Sequence, residues 1–580
     1  MNKNIDKILI SPETTIKEAM QRINEAPWNG QPSGMAIIVN KERVLLGLLT
    51  DGDIRRALIK DIKLDQKVSD IMGKEPIKVE EKLSPNVKLK LIKDQLNKAV
   101  ADKRKKVKKI DKILIVDEAN KVIGVQSFFE IWEKSDAMHQ NVCIIGMGFV
   151  GLTLAVSLAD IGFKVLGVDN NEDVLDVILS GDPHFHEKNL DYLLKRNLNK
   201  NLFVSKEITS DDNDIYVISV GTPVGENNEA NLDSVKKVSS MIGQHIKEGD
   251  IVILRSTVPV TTCRNVVLPI LEKESNLTCG VDFHLVFAPE RTIEGKALEE
   301  LKNLPQIIGG YSRECVDIAS NFFRYLSPHI IAVESLEEAE MIKLVNNSFR
   351  DLSFAFANEL VYICDNFNLD ATKIIKDASE GYPRNKLPLP GFVGGYCLKK
   401  DPYIYAKSAQ QKKVLSNLAL ISRKINEQLP YYVIEKILDF AQKFKKNSDN
   451  CKIFIIGFAF KGVPETSDMR NSCTLDIIEL LRKNNFRNIH GFDPVVDGND
   501  IEDLGVKLCS YEEGFVNTDI VIIMNNHPLY RQLDIVSLLE KANKNCLFID
   551  SWAIFKPKEI LKVDGIFYQG LGFIREKIDY

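Results

Sequence analysis

The stretch Asn141-Val-Cys-Ile-Ile-Gly-Met-Gly-Phe-Val-Gly-Leu152 decides the fold. Asn141 to Ile145 is a short apolar run of the kind a buried parallel strand uses. Gly146, Gly148 and Gly151 follow at once, with Phe149 and Val150 between them, and Leu152 to Ile161 reads as a helix. Lys164-Val-Leu-Gly-Val168 is the next strand and ends in an acid, Asp169. A lone G-x-G-x-x-G is a weak signal. Between strand and helix, with an acid about 20 residues on, it marks a dinucleotide site. Gly146 allows the tight turn, Gly148 lets a pyrophosphate approach the helix N-terminus, and Gly151 lets helix and strand pack closely. Asp169 can accept from a ribose 2′-hydroxyl and would repel a 2′-phosphate, which favours NAD over NADP. The context weighs against a glycine-rich turn with no ligand.

Further strand-plus-loop units follow. Asp214 to Val220 leads into Gly221-Thr-Pro223, Asp250 to Leu254 into Arg255-Ser-Thr-Val-Pro259, and Leu285 to Ala288 into Pro289-Glu-Arg-Thr-Ile-Glu294. In an open parallel sheet the loops leaving the strand C-termini line the ligand crevice. Thr222, Ser256, Thr257, Glu290 and Glu294 are thus candidates to face a cofactor or substrate; taken singly, each is equally a cap or turn residue.

Leu336 to Phe367 reads as one long helix and Asn417 to Phe444 as another. Lys343 and Asn347 lie one turn apart, on one face of the first. Between the helices runs a segment crowded with proline and glycine, Gly381-Tyr-Pro-Arg-Asn-Lys-Leu-Pro-Leu-Pro-Gly-Phe-Val-Gly-Gly-Tyr-Cys-Leu-Lys-Lys-Asp-Pro-Tyr403, which reads as a loop. It carries one thiol, Cys397, with Lys399, Lys400 and Asp401 behind it. Cations near a thiol favour the thiolate, which is the nucleophile, and Gly394 and Gly395 allow close approach. A lone cysteine beside a turn is more often structural; the surrounding units reverse that preference. The two long helices suggest a connector and a dimer surface.

From Lys452 a second α/β unit begins, with strands near Ile453, Ile489, Ile520 and Cys546 and a helix over Cys473 to Lys483. It lacks the full glycine fingerprint. Lys461 and Arg470 flank its first loop, which suits a phosphate-bearing ligand.

The front of the chain repeats itself with a period of about 75 residues. Met35 to Val39 and Arg43 to Leu49 are matched by Lys112 to Val116 and Val122 to Val125, and Thr50-Asp-Gly-Asp53 is matched by Ser127-Phe-Phe-Glu130. Thr50 and Asp53 suit a helix cap and equally the ribose of a nucleotide. The basic run Lys103 to Lys109 reads as a solvated face.

Composition fits this organisation. The chain has 580 residues, 44% hydrophobic and 27% charged, and a net charge of −5. That balance gives no reason to expect nucleic acid or a membrane as partner. Ten cysteines are scattered without zinc spacing, so no metal is expected and reduced thiols are. No apolar run is long enough to span a bilayer, and a cytoplasmic protein is expected.

Eight segments, in order, resemble the UDP-glucose/GDP-mannose dehydrogenase family from about residue 140 onward: Gly146 to Leu152, Gly221-Thr-Pro223, Ser256 to Pro259, Pro289-Glu290, Lys343 to Asn347, Gly394 to Asp401, Gly457 to Lys461 and Asp468-Met-Arg470. Residues 1 to about 137 resemble a pair of CBS domains. The implied fold is α/β: two Rossmann-like doubly wound domains joined by a helical middle domain and preceded by an α+β CBS pair. The expected boundaries are 1–137, 139–330 for NAD, 331–445 for the central domain with the cysteine loop, and 450–580 for the UDP-sugar.

The resemblance implies oxidation of a sugar CH₂OH to a carboxylate with two NAD, through a Cys397 thiohemiacetal and thioester. Lys343 and Asn347 would hold the C6 oxygen, Asp401 and Thr222 would place a water or pass protons, and Glu290 would assist hydrolysis. Glu294, Gly395, Lys461 and Arg470 would hold the UDP-sugar. Arg384 resembles an arginine that many members supply from the neighbouring subunit of a dimer. Gly146, Gly148, Phe149, Val150, Gly151, Asp169, Thr222 and Thr257 would hold NAD, and Thr50 and Asp53 a regulatory adenine nucleotide. Relatives acting on N-acetylhexosamines carry His where this chain has Tyr396, yet Tyr382-Pro-Arg384 resembles that branch. A UDP-N-acetylhexosamine is the favoured substrate and surface polysaccharide synthesis the expected use. UDP-glucose oxidation to UDP-glucuronate is the alternative, and an adenine-nucleotide sensor with an inactive dehydrogenase part is the alternative of another class.

Overall fold

The computed structural model describes residues 5–27, 34–101, 112–127, 131, 140–225 and 227–572. The chain divides after Gln140 into two compact units.

The first unit holds two three-stranded sheets of one plan. In one, Leu9–Ile10 pairs parallel with Met35–Val39, which pairs antiparallel with Leu45–Thr50. In the other, Lys78–Glu80 pairs parallel with Lys112–Val116, which pairs antiparallel with Val122–Ser127. Each hairpin shifts register at the same place, between Ile38 and Val39 and between Ile115 and Val116. Thr50 opposite Met35 and Ser127 opposite Lys112 are therefore equivalent positions, as the repeat predicts. Ile37 and Leu45 of the first sheet share a core with Leu114 and Val122 of the second, so neither copy buries its apolar face alone. Glu130 and the basic run Lys103 to Lys109 lie outside the described residues.

The second unit is built on two sheets. In the larger, strands run in the order Ile330–Ala332, Gln306–Gly310, His284–Phe287, Ile251–Leu254, Ile215–Ile218, Asn141–Ile145, Lys164–Val168 and Leu202–Ser205. The strand order reverses between Asn141–Ile145 and Ile215–Ile218, which opens the crevice where ligands bind in such sheets. The pairing of His284–Phe287 with Gln306–Gly310 is antiparallel, a departure from the all-parallel reading. The smaller sheet runs Lys507–Leu508, Ile489–Phe492, Ile453–Ile456, Ile520–Ile523, Cys546–Asp550 and Ile566–Gly570, all parallel, and reverses between Ile453–Ile456 and Ile520–Ile523.

Between the sheets stand the helices Leu336–Phe367 and Asn417–Lys443. Ser335 caps the first by accepting from the Glu338 N–H, and Asn368, in the left-handed region at φ 55°, ends it. Apolar residues alone do not face inward along this helix. Glu340, Lys343, Asn347, Asp351 and Asn358 are all buried. This polar seam runs the length of the site. The cysteine loop is shorter than the proline and glycine content suggests: Asp401–Gln411 is already helix. Pro402 sits in its first turn, where proline's fixed φ and missing N–H do no harm.

Candidate functional site

Gly394 and Gly395 bring the cysteine loop against the second sheet. Gly395 has φ 88°, and a Cβ there would lie 2.8 Å from the Phe460 ring, so only glycine fits. Its N–H donates to the Asn471 carbonyl at 3.2 Å. Cys397 follows. Its own carbonyl accepts from the N–H groups of Lys400 (3.2 Å) and Asp401 (2.9 Å), so the thiol stands at the mouth of the next helix.

Cys397 is exposed, and the other nine cysteines are buried or half-buried. The residue is exposed, yet the protein packed around its sulfur desolvates it. This enclosure, followed by the Asp401 carboxylate, raises its pKa above the ordinary cysteine value, while Lys343 and Lys400 pull the other way. The easier ionisation expected from its basic neighbours is thus outweighed in the ligand-free chain. Of the two lysines beside it only Lys400 serves the site. Lys399 turns away to Asp476, 2.6 Å off.

Around the thiol four segments meet. Asn347 Nδ2 donates to Asp401 Oδ2 at 2.6 Å, and Lys400 Nζ lies 3.0 Å from Asp401 Oδ1. Lys400 Nζ also donates to Thr222 Oγ1 at 3.2 Å. The Thr222 hydroxyl in turn donates to the Thr257 carbonyl at 2.5 Å. Two candidates from separate loops of the larger sheet are thereby joined to the cysteine loop. The Thr222 hydroxyl thus gives its proton to Thr257 and accepts from Lys400. Lys343 Nζ donates to the Glu290 carbonyl oxygen at 2.6 Å. Ser256 is buried and donates to the Val220 carbonyl at 2.7 Å, a second bond between the same two loops.

Glu290 is held on both oxygens. Oε2 pairs with Arg255, and Oε1 accepts from the N–H groups of Arg291 (2.7 Å) and Thr292 (2.8 Å). Burial pushes its carboxyl up, but Arg255 and these bonds prevail and hold it below the usual glutamate value. Glu294 behaves oppositely. Burial and the neighbouring Asp468 raise it, against Arg470 and Lys461, while burial lowers Lys461. Lys461 Nζ donates to the Glu294 carbonyl at 2.7 Å. Arg470 forks onto Asp468 (2.9 and 2.7 Å) and comes within 3.6 Å of Glu294.

Sequence reasoning passed over two residues that the geometry makes central. Lys400 was masked by Lys399 beside it; nothing in a Lys-Lys pair says which one turns inward. Tyr396 lies between Lys400 Nζ (5.0 Å from the ring centre) and Arg470 Cζ (5.2 Å), with its hydroxyl against Gly221. It thus touches the cofactor-side loop and the Arg470 loop at once. Two groups of candidates lie elsewhere. Arg384 is exposed, with its Nε donating to the Tyr382 hydroxyl at 3.0 Å. Thr50 and Asp53 belong to the first unit, where they cap each other: Thr50 Oγ1 donates to Asp53 Oδ2 at 2.6 Å and accepts from the Asp53 N–H. Arg56 takes the other Asp53 oxygen at 2.6 Å.

The dinucleotide turn fits its ligand. Gly148 caps the helix Phe149–Ile161 with open space beyond its Cα, so the helix N-terminus is accessible to an anion. At Gly151 a Cβ would stand 1.8 Å from the Gly146 carbonyl oxygen, which makes glycine obligatory. Asp169 Oδ2 accepts from the Met147 N–H at 2.7 Å, so the acid that would meet a ribose also fixes the turn that would meet the pyrophosphate. The second sheet lacks this arrangement in usable form: Asp493 is buried and spends Oδ2 on the Phe458 and Ala459 N–H groups and Oδ1 on those of Val495 and Val496.

Family models match along most of the chain. Residues 140–327 match the NAD binding domain of the UDP-glucose/GDP-mannose dehydrogenase family, 337–428 its central domain and 454–557 its UDP binding domain. The chain belongs to the UDP-glucose/GDP-mannose dehydrogenase family. Residues 1–60 match a CBS domain. A UDP-N-acetyl-D-mannosamine dehydrogenase of Campylobacter jejuni is 32% identical over 399 residues, covering 67% of this chain and 95% of that protein. An NDP-N-acetyl-D-galactosaminuronic acid dehydrogenase of Ralstonia nicotianae is 28% identical, covering 73% and 98%. The solved structure of a UDP-D-ManNAc dehydrogenase from Pyrococcus horikoshii superposes with a TM-score of 0.67 at 28% identity, covering 75% of this chain and 99% of that one. As a member of this family the chain is an NAD-dependent nucleotide-sugar dehydrogenase, with NAD at the larger sheet. Among the described residues no helix is long and apolar enough to cross a membrane, and no cluster of side chains could hold a metal ion.

Proposed function

We propose that this dehydrogenase oxidises C6 of a UDP-N-acetylhexosamine to the carboxylate in two successive two-electron steps, with Cys397 as covalent nucleophile. The convergence of the exposed Cys397 with Lys343, Asn347, Lys400 and Asp401 carries the reading. A single oxidation to an aldehyde needs no thiol. An aldehyde must first gain a nucleophile before it gives up a second electron pair readily.

When bound, NAD supplies the electron acceptor for both oxidations. Lys343 and Asn347 hold the C6 oxygen while charge grows on it. Cys397 loses its proton and adds to the aldehyde carbon; a C–S bond forms and the carbonyl oxygen becomes an alkoxide held by the same two side chains. The second oxidation turns this thiohemiacetal into a thioester. Water then attacks the thioester carbon, the C–S bond breaks, the carboxylate leaves and the thiolate takes back a proton. Asp401 and Lys400 hold that water. Glu290, kept ionised by Arg255, receives its proton. Overall, one alcohol and one water give one carboxylate, two reduced cofactors and three protons.

Lys461 and Arg470 suit the diphosphate, and the upward shift that burial and Asp468 give Glu294 lessens the negative charge beside it. Arg384 serves the site of a second copy. Large exposed apolar side chains on the two long helices, Phe349, Phe356 and Phe367 on one and Leu418 and Ile421 on the other, support a dimer through these helices. Thr50 and Asp53 take a regulatory adenine nucleotide once their mutual cap opens. The product uronic acid suits surface polysaccharide synthesis. The names of the relatives support an N-acetylhexosamine over glucose.

A panel of UDP- and GDP-sugars, followed by NADH absorbance, tests the substrate. Turnover of UDP-N-acetylhexosamines is expected; turnover of UDP-glucose alone would overturn the choice of sugar and keep the chemistry.

A further inference from the structure

The loop that carries the thiol is gripped from behind by residues that touch neither substrate nor cofactor. At its start, Asn358 brackets one residue with both ends of its amide. Its Oδ1 accepts from the Gly391 N–H at 3.0 Å, and its Nδ2 donates to the Gly391 carbonyl at 3.1 Å. At its end, Arg423 Nη1 donates at 3.2 Å to the carbonyl of Leu398, the residue after the nucleophile. The same guanidinium is paired with Asp351. Asn426 joins the two grips: its Oδ1 accepts from Asn358 Nδ2 at 2.9 Å and its Nδ2 donates to Asp351 Oδ1 at 2.9 Å. Asn358, Asp351, Arg423 and Asn426 are at most 1% exposed.

A buried charge pair is weak evidence for stability, because apolar side chains of equal volume serve packing as well. What this group does that apolar residues cannot is fix backbone carbonyls and N–H groups at both ends of Gly391 to Leu398. Asp351 and Asn358 also stand on the helix Leu336–Phe367, which carries Lys343 and Asn347. The nucleophile and the groups facing it are therefore referenced to one rigid element.

We propose that Asn358 and Arg423 are positioning residues for the covalent step, holding the Cys397 sulfur at the separation from Lys343 and Asn347 that attack on the aldehyde needs. The proposal rests on the covalent role given to Cys397 above. Misplacement by about 1 Å costs on the order of 100-fold in rate, so the grips act chiefly on kcat, while the dinucleotide turn Gly146 to Gly151 and the pair Lys461 and Arg470 lie in other segments.

The test compares Arg423→Lys, Arg423→Met and Asn358→Asp with the parent as full-length, folded protein. Lysine keeps a charge toward Asp351 but loses the planar guanidinium whose Nη1 serves Asp351 and the Leu398 carbonyl together. The expected result is a kcat lowered about tenfold or more, with KM for NAD and nucleotide sugar changed less than about threefold, and a larger loss for methionine than for lysine. Alkylation of Cys397 by iodoacetamide supplies a readout that needs no substrate. With the loop released from its enclosure, alkylation becomes faster and its pH midpoint moves down toward the ordinary cysteine value. Variants whose kcat and alkylation profile match the parent, or whose loss only tracks the unfolded fraction, overturn the proposal. Should Arg423→Lys not fold, Asn358→Asp decides by the same two readouts. Cys397→Ser separates the two claims: if it still makes carboxylate at the parent rate, the covalent reading falls, whereas the effect of the grips on the thiol remains measurable in the other variants.

Discussion

Asn347 Nδ2 lies 2.6 Å from Asp401 Oδ2, one buried hydrogen bond that ties the long central helix to the turn following the nucleophile. The bond fixes which oxygen of Asp401 is left for Lys400, and so fixes the lysine that reaches across to Thr222. Asn347→Ala frees Asp401 and removes a donor to the C6 oxygen. Steady-state kinetics should show kcat lower by roughly 100-fold, with KM little changed. A rise in KM with kcat kept would assign Asn347 to substrate binding instead.

Brief treatment with iodoacetamide should label Cys397 alone, since the other nine cysteines are buried or half-buried. Because the enclosure and Asp401 raise the thiol pKa, the labelling rate should climb with pH to a midpoint above that of an unhindered cysteine. Loss of activity should follow the label one to one by mass spectrometry. A midpoint below the ordinary value would mean that Lys343 and Lys400 win, contrary to the geometry.

Glu290→Ala should unfold the enzyme more readily, because it leaves the fully buried Arg255 unpaired. Breaking such a pair costs about 3–5 kcal/mol, read as a fall in Tm. The pH dependence has a fixed sign. The folded pKa of Glu290 is depressed, so its contribution is present above the usual glutamate pKa and is lost as pH falls through the lower folded value. Equal acid sensitivity in parent and Glu290→Gln would contradict this.

Much of this was legible in the sequence, and the reasons differ by element. The strand Asn141–Ile145 and the helices Leu336–Phe367 and Cys473–Lys483 have the bounds that apolar periodicity predicts. Local pattern determines such elements. The antiparallel strand Gln306–Gly310 was not legible, because strand direction is set by what lies beside it. In the site, residue types at family spacing named Cys397, Lys343, Asn347 and Asp401. The partner of Glu290 was hidden because Arg255 comes from another strand's loop, and no periodicity links the two. The direction of the Cys397 shift was missed for a related reason: neighbours in sequence are visible, enclosure is not.

Asp169→Ala should narrow the preference for NAD over NADP, since on the proposed reading the carboxylate that fixes Met147 would also meet the ribose. The ratio of kcat/KM for the two cofactors should fall by about tenfold or more, the worth of one charged hydrogen bond. An unchanged ratio would place the ribose elsewhere.

Arg384→Ala and Cys397→Ala should each be inactive, yet a mixture refolded together should recover up to about a quarter of parent activity, from mixed dimers with one intact site. No recovery, with dimers present by light scattering, would return Arg384 to its own chain's site.

The central claim is a four-electron oxidation through Cys397, and the most direct measurement is the number of NADH formed per nucleotide sugar consumed, in parent and in Cys397→Ser. The account predicts two in the parent, with a carboxylate as product by mass spectrometry, and at most one in Cys397→Ser, with no carboxylate. One NADH and an accumulating aldehyde in the parent, or two in the serine variant at an unchanged rate, would contradict it.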